Sequence, residues 1–239
     1  MSYSKFCEIN DYIFEAPNEA RKVKFQKLFS KVKGENVLDL GCGYAGIYWA
    51  LSYFERVNHI YFYDYYQENI DRLNSIIDQL TPEYIEESFS ETIEYLKDIN
   101  LIYRTKSYSQ IAEELLSKIK VVKQQSFFNE LPTFNFDIVV SSEAIECVDN
   151  ETEFKSVLKN IFSSLKYKGK LIGNILNYSK TTDLTKELIS SKMEGKLNPN
   201  ENELEVLLKK ANFNNVDIEV VEFPELNNRS KYIYYSAVK

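Results

Sequence analysis

The chain has 239 residues, 44% of them apolar, and a formal charge of −7. That length suits one sizeable α/β domain, or one domain with a small appendage, and the apolar share excludes a disordered chain. The acidic balance, without any basic run, argues against a nucleic-acid-binding face, which needs clustered Lys and Arg.

The N-terminus, MSYSKFCEINDY, has no apolar core of signal-peptide length, and no stretch reads as a bilayer span, so no membrane partner is expected. Cys7, Cys42 and Cys147 lie far apart and form no CxxC pair, which points to a reducing, cytoplasmic setting. The lone histidine, His59, sits at the mouth of a strand and reads as structural. Its loneliness excludes any site that needs two histidine ligands.

Residues 12–32 carry apolar residues at helical spacing, with Pro17 near a helix start. NVLDL is a short buried strand, and glycines form its exit turn. IYWALSYF reads as helix, HIYFYD as a second strand ending on Asp64, and NIDRLNSIIDQL as an amphipathic helix. This is the opening of a doubly wound sheet. Residues 82–119 then read as two helices, an insertion that serves as a lid or an interface. The strands KVVKQQ and FDIVVSS follow, then the helix TEFKSVLKNIFSSL, a Lys-Gly turn and the strand KLIGNIL. The chain closes with the helix NELEVLLKKAN and two β-rich runs, VDIEVVEF and KYIYYSAVK. The turn-like PELNNRS between them predicts an antiparallel pair.

The stretch VLDLGCGYAGI holds Gly41, Gly43 and Gly46 in the G-x-G-x-x-G spacing of a dinucleotide site, with the acid Asp64 at the end of the next strand. Asp39 argues otherwise. A carboxylate two residues before the first glycine would repel a pyrophosphate. S-adenosylmethionine carries no phosphate; it offers an α-ammonium, a sulfonium and two ribose hydroxyls. For that ligand Asp39 is a hydrogen-bond acceptor with charge assistance. Gly41 and Gly43 let the backbone approach it, Asp64 accepts the ribose hydroxyls from an open crevice, and Gly46 serves helix packing.

An antiparallel last strand on a parallel sheet, together with these motifs, resembles the class I S-adenosylmethionine-dependent methyltransferases. VLDLGCGYAG resembles their first motif, HIYFYD the second, FDIVVSSEAIECV the fourth and LKYKGKLIGNIL the fifth. The resemblance implies a Rossmann-like, doubly wound α/β fold. Its seven-stranded sheet is mostly parallel with an antiparallel last strand. It also implies an N-terminal helical cap or lid over 1–34 and a methyltransferase domain over 35–239 that contains the 82–119 insertion.

DYYQEN at 64–69 further resembles the D-Y-[ST]-x-x-N stretch of the nicotinamide, phenylethanolamine and indolethylamine N-methyltransferases, which also carry a long insertion before the third strand. That likeness implies Asp64, Tyr65 and Asn69 around ribose and adenine, and tyrosines from the N-terminal segment, Tyr3 or Tyr12, over the cofactor. Gln125 replaces the acid that meets the adenine, and Ser141 is a further expected cofactor contact. Asn174, Ile175 and Asn177 stand where the group's substrate-binding acid would be.

SEAIEC resembles the E-x-x-E-H of methyltransferases that bind a divalent metal, but Cys147 stands in place of the histidine, so no metal is expected. If helical, Glu143 and Glu146 share a face. They would then hold a cation or attract an ammonium substrate, or Glu146 merely caps or solvates the following helix. Glu143, directly after the strand, borders the methyl-transfer crevice in this architecture. The expected catalytic residues are Glu143 and Tyr12, with Tyr178 as a further contact. The expected reaction is methyl transfer to a small-molecule amine, by a monomer or homodimer, leaving S-adenosylhomocysteine. An oxygen acceptor, use of the aminocarboxypropyl arm, and a non-catalytic binding module are the alternatives.

Overall fold

A computed structural model describes residues 17–177, 197–222 and 231–239. The chain divides into two compact units, residues 2–125 and residues 126–239.

In the first unit, helix α1 (Glu19–Lys27) begins where the Asn18 side chain accepts the Arg21 N–H at 3.0 Å. Strands β1 (Gly34–Leu40) and β2 (Val57–Asp64) pair in parallel from Gly34↔Val57 to Leu40↔Tyr63. The helix between them, α2 (Gly46–Ala50), is shorter than the expected run over 47–54 and gives way to a 3-10 turn at Phe54–Arg56. Arg56 explains the change, because its guanidinium donates to the carbonyls of Ser52 at 2.8 Å, Phe29 at 2.9 Å and Val32 at 3.2 Å. Phe29 stacks on Trp49 with centroids 5.0 Å apart. Helix α3 (Gln67–Asp78) follows β2, and β3 (Ile119–Gln124) pairs in parallel with β2, with Asp64 opposite Gln124.

The inserted segment forms the two expected helices, α4 (Pro82–Asp98) and α5 (Tyr108–Lys118). Thr81 caps α4 with Pro82 in its first turn, and a Ser107–Gln110 capping box opens α5. The loop before α5 carries Lys106, which bonds Glu55 at 2.7 Å and also Glu114. Lys118 meets Glu114 at 2.6 Å and donates to the Phe54 carbonyl at 2.7 Å.

The second unit holds β4 (Phe136–Ser142), α6 (Glu151–Ser164), β5 (Leu165–Asn177), α7 (Glu201–Lys210), β6 (Asn214–Glu222) and β7 (Lys231–Val238). The expected Lys-Gly turn is instead a bulge inside β5. Lys168 takes φ 61°, and the register slips between Phe136↔Leu165 and Ile138↔Lys170. β4 and β5 are parallel, while β7 runs antiparallel to both β5 and β6, as expected for the closing strands. The PELNNRS turn lies outside the described residues. The seven strands follow the order β3-β2-β1-β4-β5-β7-β6. Among the described residues no helix is long and apolar enough to cross a membrane.

Candidate active site

In the first unit the chain leaves β1 through two left-handed glycines, Gly41 at φ 77° and Gly43 at φ 57°. The N–H groups of Gly41 and Cys42 both donate to the Tyr63 carbonyl, at 2.7 and 3.2 Å, which ties the turn to the end of β2. A Cβ at Gly43 would stand in open space, its nearest neighbour the Ala45 nitrogen at 3.9 Å. The turn is therefore a cradle that any side chain would fill. Gly46 has the packing role expected of it, since a Cβ there would come within 2.9 Å of the Phe62 ring.

Asp64 corrects an expectation. It is not open to a crevice but 5% exposed, and both carboxylate oxygens are already engaged. One accepts the Gly43 N–H at 2.8 Å; the other accepts the Tyr66 N–H and the Asn69 amide, both at 2.9 Å. A carboxylate has about four acceptor sites, so three protein donors leave room for a further one. Asp64 thus shapes the glycine turn as well as offering an acceptor. Asn69, expected beside ribose and adenine, is buried and turned onto Asp64. The signal for that role was present: an amide in the first turn of the helix, five residues after a strand-ending acid. Tyr65 is exposed, its ring edge-on to Tyr66 at 5.1 Å. The Gln125 N–H donates to the Asp64 carbonyl at 2.8 Å, which sets Gln125 beside the end of β2.

Asp39 is 3% exposed, and the Tyr53 hydroxyl lies 3.5 Å from its Oδ2. Burial, opposed by the Tyr53 hydrogen bond and reinforced by the Asp64 charge, pushes its carboxyl up to about 7. These residues fit a cationic nucleoside such as S-adenosylmethionine: an open backbone cradle, a buried acid for an ammonium, a second acid with acceptor capacity left, and an exposed tyrosine. They do not suit a pyrophosphate, which two carboxylates would repel.

In the second unit β4, β5 and β7 place polar residues on successive rungs. Ser141 lies opposite Gly173, and Gly173 opposite Tyr235; Ser142 lies opposite Asn174, and Asn174 opposite Tyr234. A Cβ at Gly173 would fall 2.2 Å from the Tyr235 hydroxyl and 2.3 Å from the Ser141 carbonyl, so only glycine lets the Tyr235 ring cross β5. The Ser141 Oγ is buried and has no hydrogen-bond partner among the described residues.

Glu143 follows directly, exposed, with φ 55°. A left-handed backbone costs a non-glycine residue on the order of 1–2 kcal/mol. Its N–H donates to the Asn174 carbonyl at 2.9 Å, and its Oε1 accepts the Asn174 amide at 3.2 Å. The Tyr232 hydroxyl also bonds this carboxylate, whose charge, with burial, drives the phenol well above its ordinary range. Burial, then the charges of Glu143 and Glu219, raise Tyr234 as well.

The stretch 143–150 is not helical, so Glu143 and Glu146 share no helix face. Nor does Glu146 cap or solvate α6. Asn150 holds that position, accepting the Glu153 N–H at 3.0 Å, and Glu146 turns inward, 3% exposed, to accept the Leu176 N–H at 3.4 Å. Tyr232 and Tyr234 were missed in the sequence, where KYIYYSAVK shows only a strand; which residue a strand tyrosine meets is decided by register. His59 bonds Asn36 at 2.8 Å, as a structural histidine would. Among the described residues no group of three or more His, Cys, Asp or Glu side chains could hold a metal ion. Tyr3, Tyr12 and Tyr178 lie outside the described residues.

The model of the NNMT/PNMT/TEMT family matches residues 18–223. No curated protein sequence matches the chain. Among solved structures, the chain is similar to Haemonchus contortus phosphoethanolamine N-methyltransferase 2 in complex with phosphomonomethylethanolamine and S-adenosylhomocysteine. The TM-score is 0.62 at 14% identity, over 96% of this chain and 56% of that one. The same enzyme with S-adenosyl-L-methionine gives 0.61 at 14% identity, over 94% and 53%. The N-methyltransferase NodS from Bradyrhizobium japonicum WM9 gives 0.58 at 12% identity, over 96% and 98%. The chain thus spans about half the length of the Haemonchus enzyme and nearly all of NodS. At these identities the likeness is one of fold.

Proposed function

The chain belongs to the NNMT/PNMT/TEMT family, and from that premise we propose that it transfers the methyl group of S-adenosylmethionine to an amine nitrogen of a small molecule. One observation carries the donor half of the proposal: the open cradle at Gly43, closed on one side by the Gly43–Asp64 hydrogen bond. Bound S-adenosylmethionine supplies an electrophilic methyl on a sulfonium with a neutral leaving group. The protein's task is therefore alignment and exclusion of water rather than strong acid–base chemistry.

Asp39 holds the donor's ammonium, and the remaining acceptor capacity of Asp64 holds ribose. Tyr65 and Gln125 border the base, and Ser141 is a further polar contact. The nitrogen must be uncharged to attack. Glu143, exposed and held by Asn174 and Tyr232, orients the amine and takes its proton. The three separated cysteines support a cytoplasmic setting.

Incubating the purified protein with methyl-labelled S-adenosylmethionine and a panel of small primary and secondary amines tests the proposal. Label recovered in an amine, with S-adenosylhomocysteine in equal amount, is the expected result. Binding of the donor with no label in any amine would refute the acceptor class. An oxygen acceptor and use of the aminocarboxypropyl arm draw no specific support from the family match.

A further inference from the structure

The polar rung that ends β4 and β5 does more than complete a sheet. Asn174 is fully buried, yet its carbonyl, its amide nitrogen and its amide oxygen all meet one neighbourhood. Its carbonyl accepts the Glu143 N–H at 2.9 Å, its amide donates to Glu143 Oε1 at 3.2 Å, and its Oδ1 accepts the Ser142 hydroxyl at 2.9 Å. The Ser142 bond orients the amide so that its N–H₂, not its oxygen, meets the carboxylate. Glu143 is thereby gripped at backbone and side chain while its own backbone sits at φ 55°. Beside it on the same rung, Tyr234 is 2% exposed, and its hydroxyl has no hydrogen-bond partner among the described residues.

A left-handed glutamate is an unfavourable choice wherever glycine or asparagine would serve. Such strain persists where the side chain is needed at that place. If Glu143 served only the fold, glycine at 143 would do so without strain. If Asn174 served only the sheet, an apolar residue would fill a buried β5 position without a buried amide to satisfy.

We propose that Asn174 is a positioning residue, locked by Ser142, that holds the strained Glu143 carboxylate at the orientation in which it receives the acceptor amine. The inference rests on the amine-methyltransferase reading and deepens it. It adds a specificity consequence: the acceptor meets a carboxylate already bonded by Asn174 and Tyr232, so a single N–H group, not a bidentate guanidinium, is the matching partner.

The test combines stability with a double-mutant cycle. Melting temperatures of the ligand-free Glu143→Gly and Glu143→Ala proteins are compared first. Glycine should melt higher than alanine, because both variants lose the carboxylate's bonds to Asn174 and Tyr232 and only glycine relieves φ 55°. With the best amine of the panel, Glu143→Gly and Glu143→Gln should each lower kcat at least tenfold with unchanged donor affinity. Asn174→Ala should lower kcat about tenfold in the wild-type background and less than twofold in the Glu143→Gly background, because its effect passes through Glu143.

Equal losses in both backgrounds would show Asn174 to be structural and overturn the proposal, as would wild-type turnover in Glu143→Gly. A Glu143→Gly protein that melts below Glu143→Ala would overturn the strain argument independently of activity. If wild type methylates no amine, the functional reading fails by itself, and the melting comparison still decides whether strain is stored at Glu143.

Discussion

Asp39 carries the sharpest consequence at the scale of single residues. Its folded carboxyl is raised from 3.8 to about 7 by burial, despite the Tyr53 hydrogen bond and with the Asp64 charge adding. A raised carboxyl favours the fold in its protonated form, so its contribution is complete below 3.8 and is lost as pH rises through about 7. The ligand-free protein should lose stability between about pH 4 and 7 and level off above that, by at most about 4 kcal/mol for a displacement of roughly three pH units. Asp39→Asn should flatten that part of the stability curve and melt higher than wild type at pH 8, while binding S-adenosylmethionine at least tenfold more weakly. A wild-type melting temperature that does not fall over that range would contradict the assignment.

Donor binding should also release a proton near neutral pH, because the arriving ammonium favours the charged carboxylate. Calorimetry in two buffers of different ionisation enthalpy would detect it. Asn69 belongs at this scale too. Losing its bond to Asp64 should cost Asn69→Ala about 1–2 kcal/mol of donor affinity without any direct contact to the donor. Unchanged affinity in a folded variant would remove Asn69 from the site.

Between residues and the whole chain stand the elements, and the insertion is the most informative of them. The sequence leaves 82–119 as either a lid or an interface. Lys106 and Lys118 bind Glu114, and through Glu55 and the Phe54 carbonyl they fasten the α4–α5 segment to the turn before β2. An element tied by ion pairs of low exposure opens reluctantly, so α5 should resist proteolysis equally with and without S-adenosylhomocysteine. Lys106→Met should loosen it. The variant removes one partner from Glu55, whose side chain is 7% exposed, and the expected loss is about 2 kcal/mol of stability. Donor-dependent protection of α5 in wild type would make the insertion a lid.

Gly173 makes the corresponding point for β5. Even alanine there must displace the Tyr235 ring from the Ser141 carbonyl. Gly173→Ala should destabilise by about 1–3 kcal/mol, as overpacking does, and a neutral result by thermal unfolding would show that the ring has room to move.

For the molecule as a whole, the acidic charge of −7 and the single histidine frame the chemistry. Methyl transfer from a sulfonium needs no Lewis acid when the acceptor is an uncharged amine, and the carboxylate pair at 143 and 146 is divided between an exposed and a buried side chain. Activity should therefore survive chelation. A large loss in EDTA that magnesium or manganese restores would make these glutamates ligands and reverse their present roles.

The order of helices and strands, the glycine turn and its paired acids, and the choice of a sulfonium donor over a dinucleotide were legible in the sequence. Each depends on near neighbours along the chain: strand-then-glycine spacing, an acid two residues before a turn, an antiparallel closing pair. The inward turn of Glu146 and the grip of Asn174 and Tyr232 on Glu143 were not legible. Those contacts join residues up to 89 positions apart, Glu143 to Tyr232, through strand register. A period-two pattern tells which residues share a face of a strand but not which rung they meet across the sheet. Local sequence therefore determined the donor chemistry, and tertiary pairing alone decided which of the two glutamates is exposed and held and which is buried.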